Sequence, residues 1–393
     1  MPEGQYKTIE PEYRDRFMYV SGHAFNYIPE PNEITDDDWA NCRGWFVDGE
    51  LVAQLETVAL RIRSGVGDHE VNAIGFGGVT SPPEQRRRGY IRELLKAALL
   101  EARSNGINFC LLHPFKHSFY AQFGWAAAME QRIFRGDINT LKNYRLGEGK
   151  FVPITPERSD EMQSIALRAL RGRWGVTVRT AAQWKSFLPD AKRKRHGVIW
   201  RDNNGLGRAY VVYTMHDRVN QGRKLECHEA LACDPEARAQ LLAFLANHDS
   251  QASEIQLLVP SDAPLNLLLR DPIHSEVRQW MMMRVIDVER ALNDYALPSE
   301  LSGSCVIGVN DHWLEFNRGN FKLEASEGKL SCQRSDEAAD VTLDVGLLGQ
   351  WITRYVRPRQ AAAFGLCSVQ NKAALAFLDS VFSGLAPFNN DFF

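Results

Sequence analysis

The chain of 393 residues lacks the signals of a membrane, secreted or nucleic-acid-coating protein. No apolar run approaches the roughly 18–20 residues of a membrane-spanning helix, and charges interrupt the first twenty residues, where a secretory signal would be apolar. Lys and Arg total 46 against 49 acidic residues, giving a net charge of −3 and no basic excess for nucleic acid. The sequence therefore predicts a soluble protein with no membrane partner and no nucleic-acid partner.

Disulfide and metal patterns are also missing. The seven cysteines form no CxxC pair, and an odd, scattered set predicts reduced thiols in a cytoplasmic protein. His113 and His117 are four residues apart, but Pro114 disfavours a shared helical face, and no acidic third ligand lies nearby. We therefore expect no metal site.

Two common nucleotide-binding patterns, GxxxxGK[ST] and GxGxxG, are absent. Gly205 and Gly207 form a GxG, but it falls in a hairpin-like turn and has no third glycine. The sequence therefore disfavours a nucleotide-binding oxidoreductase. The basic run at 192–195 is interpreted as a solvated, basic helix end, because the balanced net charge gives little support to a nucleic-acid patch.

Length and composition predict a multi-domain globular protein. The chain is longer than a single hydrophobic core usually supports, and its 44% hydrophobic and 24% charged residues are typical of soluble domains. Within about 1–150, residues 50–62 and 71–80 look like strands, 90–103 like a helix and 108–112 like a strand. This order is a βαβ unit and indicates an α/β sheet.

The rest of the chain divides into two further blocks. From about 151 the pattern predicts helices at 157–173 and 181–191, then a second strand–helix–strand unit at 227–232, 235–247 and 254–259. The last block, from about 296, predicts a small α+β module whose strands include Trp313–Asn317. The second unit looks like a diverged copy of the first.

The strongest chemical signal is an arginine loop between the strand ending near Val79 and the helix beginning at Tyr90. A helix start exposes unpaired N–H groups, glycine lets an anion approach the backbone, and arginine supplies forked donors for phosphate oxygens. Successive helical residues point about 100° apart, so three arginines cannot all face one ligand. We favour Arg86 and Arg87 over Arg88. The alternative is that all three arginines are simply solvated.

This loop resembles the acetyl-CoA signature of the GNAT acetyltransferase superfamily. The run Arg86-Arg87-Arg88-Gly89-Tyr90-Ile91, the segment Ser118–Trp125 (SFYAQFGW) and a chain ending in Phe393 resemble the Eis family of bacterial N-acetyltransferases. The resemblance implies an α/β (α+β) fold with tandem GNAT-like mixed sheets and a sterol-carrier-protein-like α+β domain. The expected domains are 1–150 (acetyl-CoA-binding), 151–295 (degenerate GNAT-like) and 296–393. It also implies a homo-oligomer, specifically a hexamer.

The resemblance also assigns roles to residues. The strand residues that would pair with the pantetheine arm, and the loop residues that would hold the pyrophosphate, are Val79, Thr80, Ser81, Arg86, Arg87, Gly89, Tyr90 and Ile91. Tyr120 matches the general acid, and the terminal carboxylate of Phe393 matches the general base. Trp125 stands where relatives often have Tyr, and it has no phenol that could replace Tyr120. The alternatives are a core aromatic at Tyr120 and an ordinary frayed terminus at Phe393.

The implied activity is acetyl-CoA-dependent N-acetylation of primary amines, either aminoglycoside-like polyamines or lysine side chains, by direct attack in a ternary complex. A tyrosine with a reference pKa of about 10 can protonate a departing thiolate, whereas a carboxylate at roughly 3.5 is a weak base unless desolvation raises its pKa. The turn at 233–238 has no glycine and carries an acid, so the second copy is not expected to bind acetyl-CoA. Asp36–Asp38 is either a polycation attractor or a solvated loop. The competing hypothesis is a non-catalytic acyl-CoA or lipid sensor.

Overall fold

Two β-sheets organise the chain in a computed structural model that describes residues 3–27, 39–185, 187–218 and 222–393. The acidic cluster at 36–38 lies outside these residues. In chain order, the strands are β1 (Gln5–Thr8), β2 (Cys42–Val47), β3 (Glu50–Ser64), β4 (Glu70–Thr80), β5 (Phe109–Leu112), β6 (Ala126–Asp137), β7 (Lys150–Pro153), β8 (Trp174–Thr177), β9 (Arg195–Arg201), β10 (Gly207–Arg218), β11 (Gly222–Ala232), β12 (Glu254–Pro260), β13 (His274–Val285), β14 (Gly303–Asn310), β15 (Gly319–Ser326), β16 (Lys329–Ser335), β17 (Val341–Asp344) and β18 (Ser368–Val369).

Helices pack on both sheets. They are α1 (Arg14–Phe25), α2 (Tyr90–Ser104), α3 (His117–Ala121), α4 (Ser159–Ala169), α5 (Ala181–Lys185), α6 (Pro235–Ala246), α7 (Val288–Asn293), α8 (Val345–Ile352), α9 (Pro358–Ala363) and α10 (Lys372–Val381). None of the helices in the described part of the chain is long and apolar enough to cross a membrane.

The larger sheet joins the two GNAT-like regions through an exchange of strands. Its order in the described residues is β1-β2-β3-β4-β5-β13-β6-β12-β11-β10-β9-β7, with β8 paired to β3 outside this path. β13, from the second region, pairs with β5 of the first, while β6, from the first region, pairs with β12 of the second. Each region therefore completes its sheet with a strand from the other.

The βαβ unit of the first region is present as expected. β4 and β5 are parallel, and α2 connects them, burying the apolar face formed by Leu94, Leu95, Ala98, Leu99 and Ala102. Tertiary burial of this face stabilises the helix more than its residue propensities do. The helix ends at Asn105 and Gly106, and Gly106 has a φ of +77°.

The second sheet belongs to the C-terminal module and has the order β16-β15-β14-β17-β18 within the described residues. α8 packs against β13 and β6, so the apolar core of this module is continuous with the larger sheet. The fold is thus a mixed α/β structure with two GNAT-like halves of one sheet and a C-terminal α+β module.

Two elements differ from the sequence expectation. The segment 313–317 is a turn followed by a 3₁₀ helix (Glu315–Asn317), because the Asp311 carboxylate accepts hydrogen bonds from the backbone N–H groups of Trp313 and Leu314. The helix expected over 181–191 is described only as Ala181–Lys185. Pro189 follows it, and Asp190 bridges to Arg195, which starts the next strand.

Candidate active site

The two central strands of the first region separate at their carboxyl ends. The parallel pairing of β4 with β5 ends at Phe76 opposite Leu112, and β4 then continues alone on that side to Thr80. The register with β3 shifts over the same stretch, and Gly78 adopts a φ of +58°, which marks a β-bulge. The backbone of β4 beyond Phe76 is therefore available to a ligand on the side facing away from β3.

The arginine loop joins this open strand to α2. Gly89 takes a φ of +86° immediately before the helix, and Arg87 also lies in the left-handed region at +65°. No side chain caps the first turn of α2, so its N–H groups and the positive end of the helix dipole are available to an anion. The side chain of Arg86 donates to the Ser81 carbonyl at 3.3 Å, which orients it along the loop.

A cavity of about 720 Å³ lies beside the strand end and the loop. All eight residues expected to bind the cofactor line it: Val79, Thr80, Ser81, Arg86, Arg87, Gly89, Tyr90 and Ile91. Arg88, the arginine that helical geometry disfavoured, does not line it. Exposed aromatic rings, Phe115 and Phe25, also line the cavity, together with Phe119. A phosphate-compatible end and an aromatic wall suit a ligand with a polar head and an apolar arm.

Tyr120 is buried, with 2% of its surface exposed, on the short helix α3. Its ring packs against Phe119 at 5.1 Å and Trp125 at 6.1 Å between centroids. No protein group of the described chain hydrogen-bonds its hydroxyl. Burial, with a smaller effect of Cys110, raises the pKa of Tyr120 above its ordinary value, so the phenol stays protonated at neutral pH.

The structure brings Phe393 onto β4. A Cβ at Gly75 would overlap the Phe393 ring, and the carboxyl carbon of Phe393 lies 3.2 Å from the position a Cβ would take on Gly77. Alternate strand residues point to opposite faces, so Phe393 lies on the Gly75 face, while Phe76 packs with Tyr120 on the other. Tyr120 and Phe393 thus flank the same strand end from opposite faces of the sheet.

Glu56 is a candidate that the sequence argument missed. It pairs with Gly77 across β3 and β4, and its carboxylate oxygen lies 3.0 Å from the position a Cβ would take on Gly78. It also lines a second cavity of about 540 Å³, together with Phe17 and Tyr27. The signal in the sequence was an acidic residue within a mostly apolar strand run, LVAQLETVAL.

His113 lies beside the Phe393 ring, at 5.1 Å between centroids, and contacts Trp280 as well. Its Nδ1 is 3.1 Å from the Trp280 carbonyl, so Nδ1 carries the proton and donates. Burial lowers the pKa of His113 to about 4, and the imidazole is therefore neutral at pH 7. His117 is exposed on α3. Across the described residues, no group of three or more His, Cys, Asp or Glu side chains could hold a metal ion.

Three family models match consecutive parts of the chain. A model of the acetyltransferase (GNAT) domain matches residues 5–128, and a second such model matches 175–285. A sterol carrier protein domain matches residues 288–390. The two GNAT matches together contain most strands of the large sheet, with β7 and most of β6 outside both.

Relatives that match over most of the chain are also named as N-acetyltransferases. An uncharacterized N-acetyltransferase of Streptomyces griseus is 23% identical over 98% of this chain and 99% of its own length. N-acetyltransferase Eis of Mycobacterium tuberculosis is 23% identical over 83% of this chain and 82% of its own. Crystal structures of a GCN5-related N-acetyltransferase from Anabaena variabilis (TM-score 0.90, 20% identity) and of Eis1 from Mycobacterium abscessus (TM-score 0.80, 22% identity) align with 100% of both chains.

The fold, the open strand end and these matches define an acyltransferase of the GNAT superfamily with N-acetyltransferase relatives. Two GNAT domains followed by a sterol carrier protein domain, together with the relatives named Eis, show which family the chain is similar to. In domain order and along most of its length, the chain is similar to the Eis N-acetyltransferases.

Proposed function

We propose that the protein transfers acetyl from acetyl-CoA to a primary amine by direct attack within a ternary complex. The acceptors we propose are aminoglycoside-like polyamines or lysine side chains. The observation that carries this proposal is that an anion-binding loop and a group of protonatable side chains meet at one strand end, that of β4. An enzyme that holds both reactants there lowers the entropic cost of bringing them together for reaction.

We infer that the 720 Å³ cavity takes acetyl-CoA, which supplies the activated acetyl group as a thioester. In this arrangement Arg86, Arg87 and the N-terminus of α2 hold the pyrophosphate, and Val79 to Ser81 pair with the pantetheine arm. Gly89 is required in the loop because a φ of +86° is costly for any residue with a Cβ. The proposal is supported by the position of these residues along one wall.

We infer that Tyr120 donates the proton that the thiolate needs on departure. The group must be protonated at neutral pH, and the raised pKa of Tyr120 ensures this. In reference compounds, proton transfer from a tyrosine to a thiolate is uphill by about two pKa units. The raised pKa of Tyr120 adds to this cost, so the step requires the two atoms to be held together.

We infer that the Phe393 carboxylate accepts the proton that the amine loses, and that Glu56 assists it. Both groups lie beside β4, the Phe393 carboxyl carbon next to Gly77 and the Glu56 carboxylate next to Gly78. Two carboxylates beside one strand end make that part of the site negatively charged. The pair would also attract an ammonium group. A deprotonated amine attacks a thioester directly, so the proposed reaction involves no metal.

Three further points rest on the family resemblance and are proposed with it. The domain boundaries are placed near residues 150 and 295, with the exchanged strands β6 and β13 crossing the midline of the sheet. The assembly is proposed to be a homohexamer. The compartment is proposed to be the cytoplasm, in agreement with cysteines that are all free in the described chain.

The test is CoA release from acetyl-CoA with a panel of aminoglycosides, polyamines and lysine peptides. We expect saturable release with at least one amine. A sensor would instead bind acetyl-CoA, measured by calorimetry, and release no CoA with any member of the panel. That outcome would replace the enzymatic proposal by the acyl-CoA sensor.

A further inference from the structure

The second GNAT-like region contains the same strand geometry as the first. β11 and β12 run parallel until Cys227 pairs with Leu257, and β11 then continues to Ala232 without β12. The register of β11 with β10 shifts at this point, so His228 forms a bulge, as Gly78 does in β4. β6 lies beyond β12 just as β13 lies beyond β5. The second region therefore retains the cleft between two separating strands.

At the second cleft, the N-terminus of the helix is capped by the carboxylate of the residue that precedes it. α6 begins after Asp234, whose side chain accepts a hydrogen bond from the Ala237 N–H at 2.9 Å. Arg208 donates to the same carboxylate at 2.8 Å. The N–H groups that would attract a phosphate are thus already capped, and an added anion would meet a negative charge.

The strand end of the second cleft is filled by the C-terminal tail. The Asn390 side-chain amide donates to the His228 carbonyl at 2.8 Å, on the β11 side. Its oxygen accepts from Gln131 at 3.1 Å, and Gln131 lies on β6 on the opposite side. Asn390 therefore links β11 by hydrogen bonds to β6, the strand that lies beyond β12.

A buried charge network fixes the tail next to this bridge. Arg179 donates to Asp391 at 2.6 Å and to both oxygens of Glu229, at 2.8 and 2.9 Å. Tyr210 donates to Glu229 at 2.6 Å. Burial alone would lower the pKa of Arg179, but Asp391 and Glu229 hold it above its ordinary value. All of these side chains are charged or hydrogen-bonded in a region closed to water. Removing one of them would therefore leave a buried partner without its hydrogen bond or its counter-charge.

The remaining contacts set the direction of the tail. The Phe388 N–H donates to the Trp174 carbonyl at 3.0 Å, and Asn389 donates to the Gly175 carbonyl at 2.8 Å. Phe388, Asn389 and Asp391 are all buried, which is unusual for residues so close to the end of a chain. From Asp391 the tail passes to Phe392 and Phe393, beside His113 and β4.

We propose that the second region's cofactor cleft has become a clamp for residues 388–391, whose role is to position the Phe393 carboxyl group at β4 of the first region. The occupant of the cleft is this chain's own tail, so the protein should bind one CoA per chain. The effect of the clamp on catalysis rests on the proposed function, whereas the clamp itself is inferred only from the contacts of the tail. Asn390, Arg179 and Glu229 are positioning residues in this account.

The experiment compares wild type with Asn390→Ala, and uses Asn293→Ala as the matched control. Asn293 also bridges two segments by two hydrogen bonds, to the N–H and carbonyl of Cys332, each at 2.9 Å, and it lies outside the clamp. Three quantities are measured on the full chain: hydrogen exchange of the peptide covering 384–393, the CoA stoichiometry, and the separate values of kcat and KM for acetyl-CoA.

We expect Asn390→Ala to speed exchange in 388–391 and to lower kcat by about tenfold or more, while KM for acetyl-CoA changes by less than about twofold. Asn293→Ala should do neither. Unchanged protection of 388–391 in Asn390→Ala, a kcat no lower than that of the control, or two CoA molecules per chain would each overturn the inference. If wild type itself transfers no acetyl group, the proposed function fails, and the exchange data alone still decide whether the clamp exists.

Discussion

At the residue scale, the burial of individual side chains decides whether they are charged. His113 lies between the aromatic rings of Trp280, Phe392 and Phe393, and its Nδ1–H donates a hydrogen bond to the Trp280 carbonyl. These neighbours exclude water, and the effect of burial outweighs the opposing effect of the Asp391 carboxylate on the pKa of His113. The charged form of the imidazole is therefore disfavoured.

This environment predicts a pH dependence of stability. The pKa of His113 is lowered to about 4 in the folded protein, while the unfolded chain takes up this proton below about 6.5. The unfolded state therefore binds more protons between these values, and the free energy of unfolding falls as pH decreases from about 6.5 to about 4. Between pH 7 and 4.5 the loss from this residue should be about 2–3 kcal/mol.

Urea unfolding of wild type and His113→Gln at both pH values measures this contribution. Glutamine does not titrate and can still donate to the Trp280 carbonyl. The variant should lose about 2–3 kcal/mol less than wild type on acidification. Equal losses for the two proteins would show that His113 is not held neutral by burial.

At the residue scale, the sequence points to the loop because its chemistry is local. Arg86, Arg87, Gly89, Tyr90 and Ile91 line one cavity because a strand, a glycine and a helix start follow one another directly, and their role in holding a cofactor stays a prediction. Arg179 and Glu229 were not found as partners of the tail, because 50 residues separate them and 212 separate Arg179 from Asp391. Such contacts arise only when the sheet is assembled.

At the scale of elements, the proposed site lies along β4, on both faces of this strand and at the edge that β5 leaves unpaired. Its glycines leave the space that Phe393 occupies, and this explains why a central strand contains GFGG where β-branched residues would be expected. The strand could be predicted from the sequence. The reason for its glycines could not, because their neighbour lies more than 300 residues away.

Gly75→Ala should therefore displace Phe393 and lower kcat by about tenfold or more, with KM for acetyl-CoA nearly unchanged, as steady-state kinetics would show. Gly136→Ala on β6 is the matched control, because a Cβ there would meet the Ile273 side chain at 2.5 Å, away from β4. Adding Phe393→Ala to Gly75→Ala should recover part of the rate by removing the overlapping ring. A Gly75→Ala enzyme no slower than the Gly136→Ala control would contradict this account of β4.

At the scale of the whole molecule, the exchanged strands make the two halves of the large sheet interdependent. β13 supplies Met282 to the core that contains Phe76 and Tyr120, although it is more than 150 residues distant in sequence. The block order predicted the two GNAT-like regions and the C-terminal module. The exchange could not be predicted, since hydrophobic periodicity identifies strands and not their partners.

A fragment of residues 1–150 lacks β13 and leaves one side of β5 without its partner. We expect it to show no cooperative thermal transition by circular dichroism, whereas the full chain should unfold sharply. An exposed strand edge of this kind also favours aggregation. A fragment with a sharp, reversible transition would show that the first region is an independent folding unit.

The central claim is that acetyl transfer takes place at the end of β4, with Tyr120 as the proton donor. The most direct measurement is kcat for CoA release, with the best amine of the panel, for wild type and Tyr120→Phe. Tyr13→Phe serves as the control, because its hydroxyl makes a single long contact of 3.3 Å with the Gly49 carbonyl. We predict a loss of about 10²-fold or more for Tyr120→Phe and none for Tyr13→Phe. A Tyr120→Phe enzyme with the wild-type kcat would contradict the account.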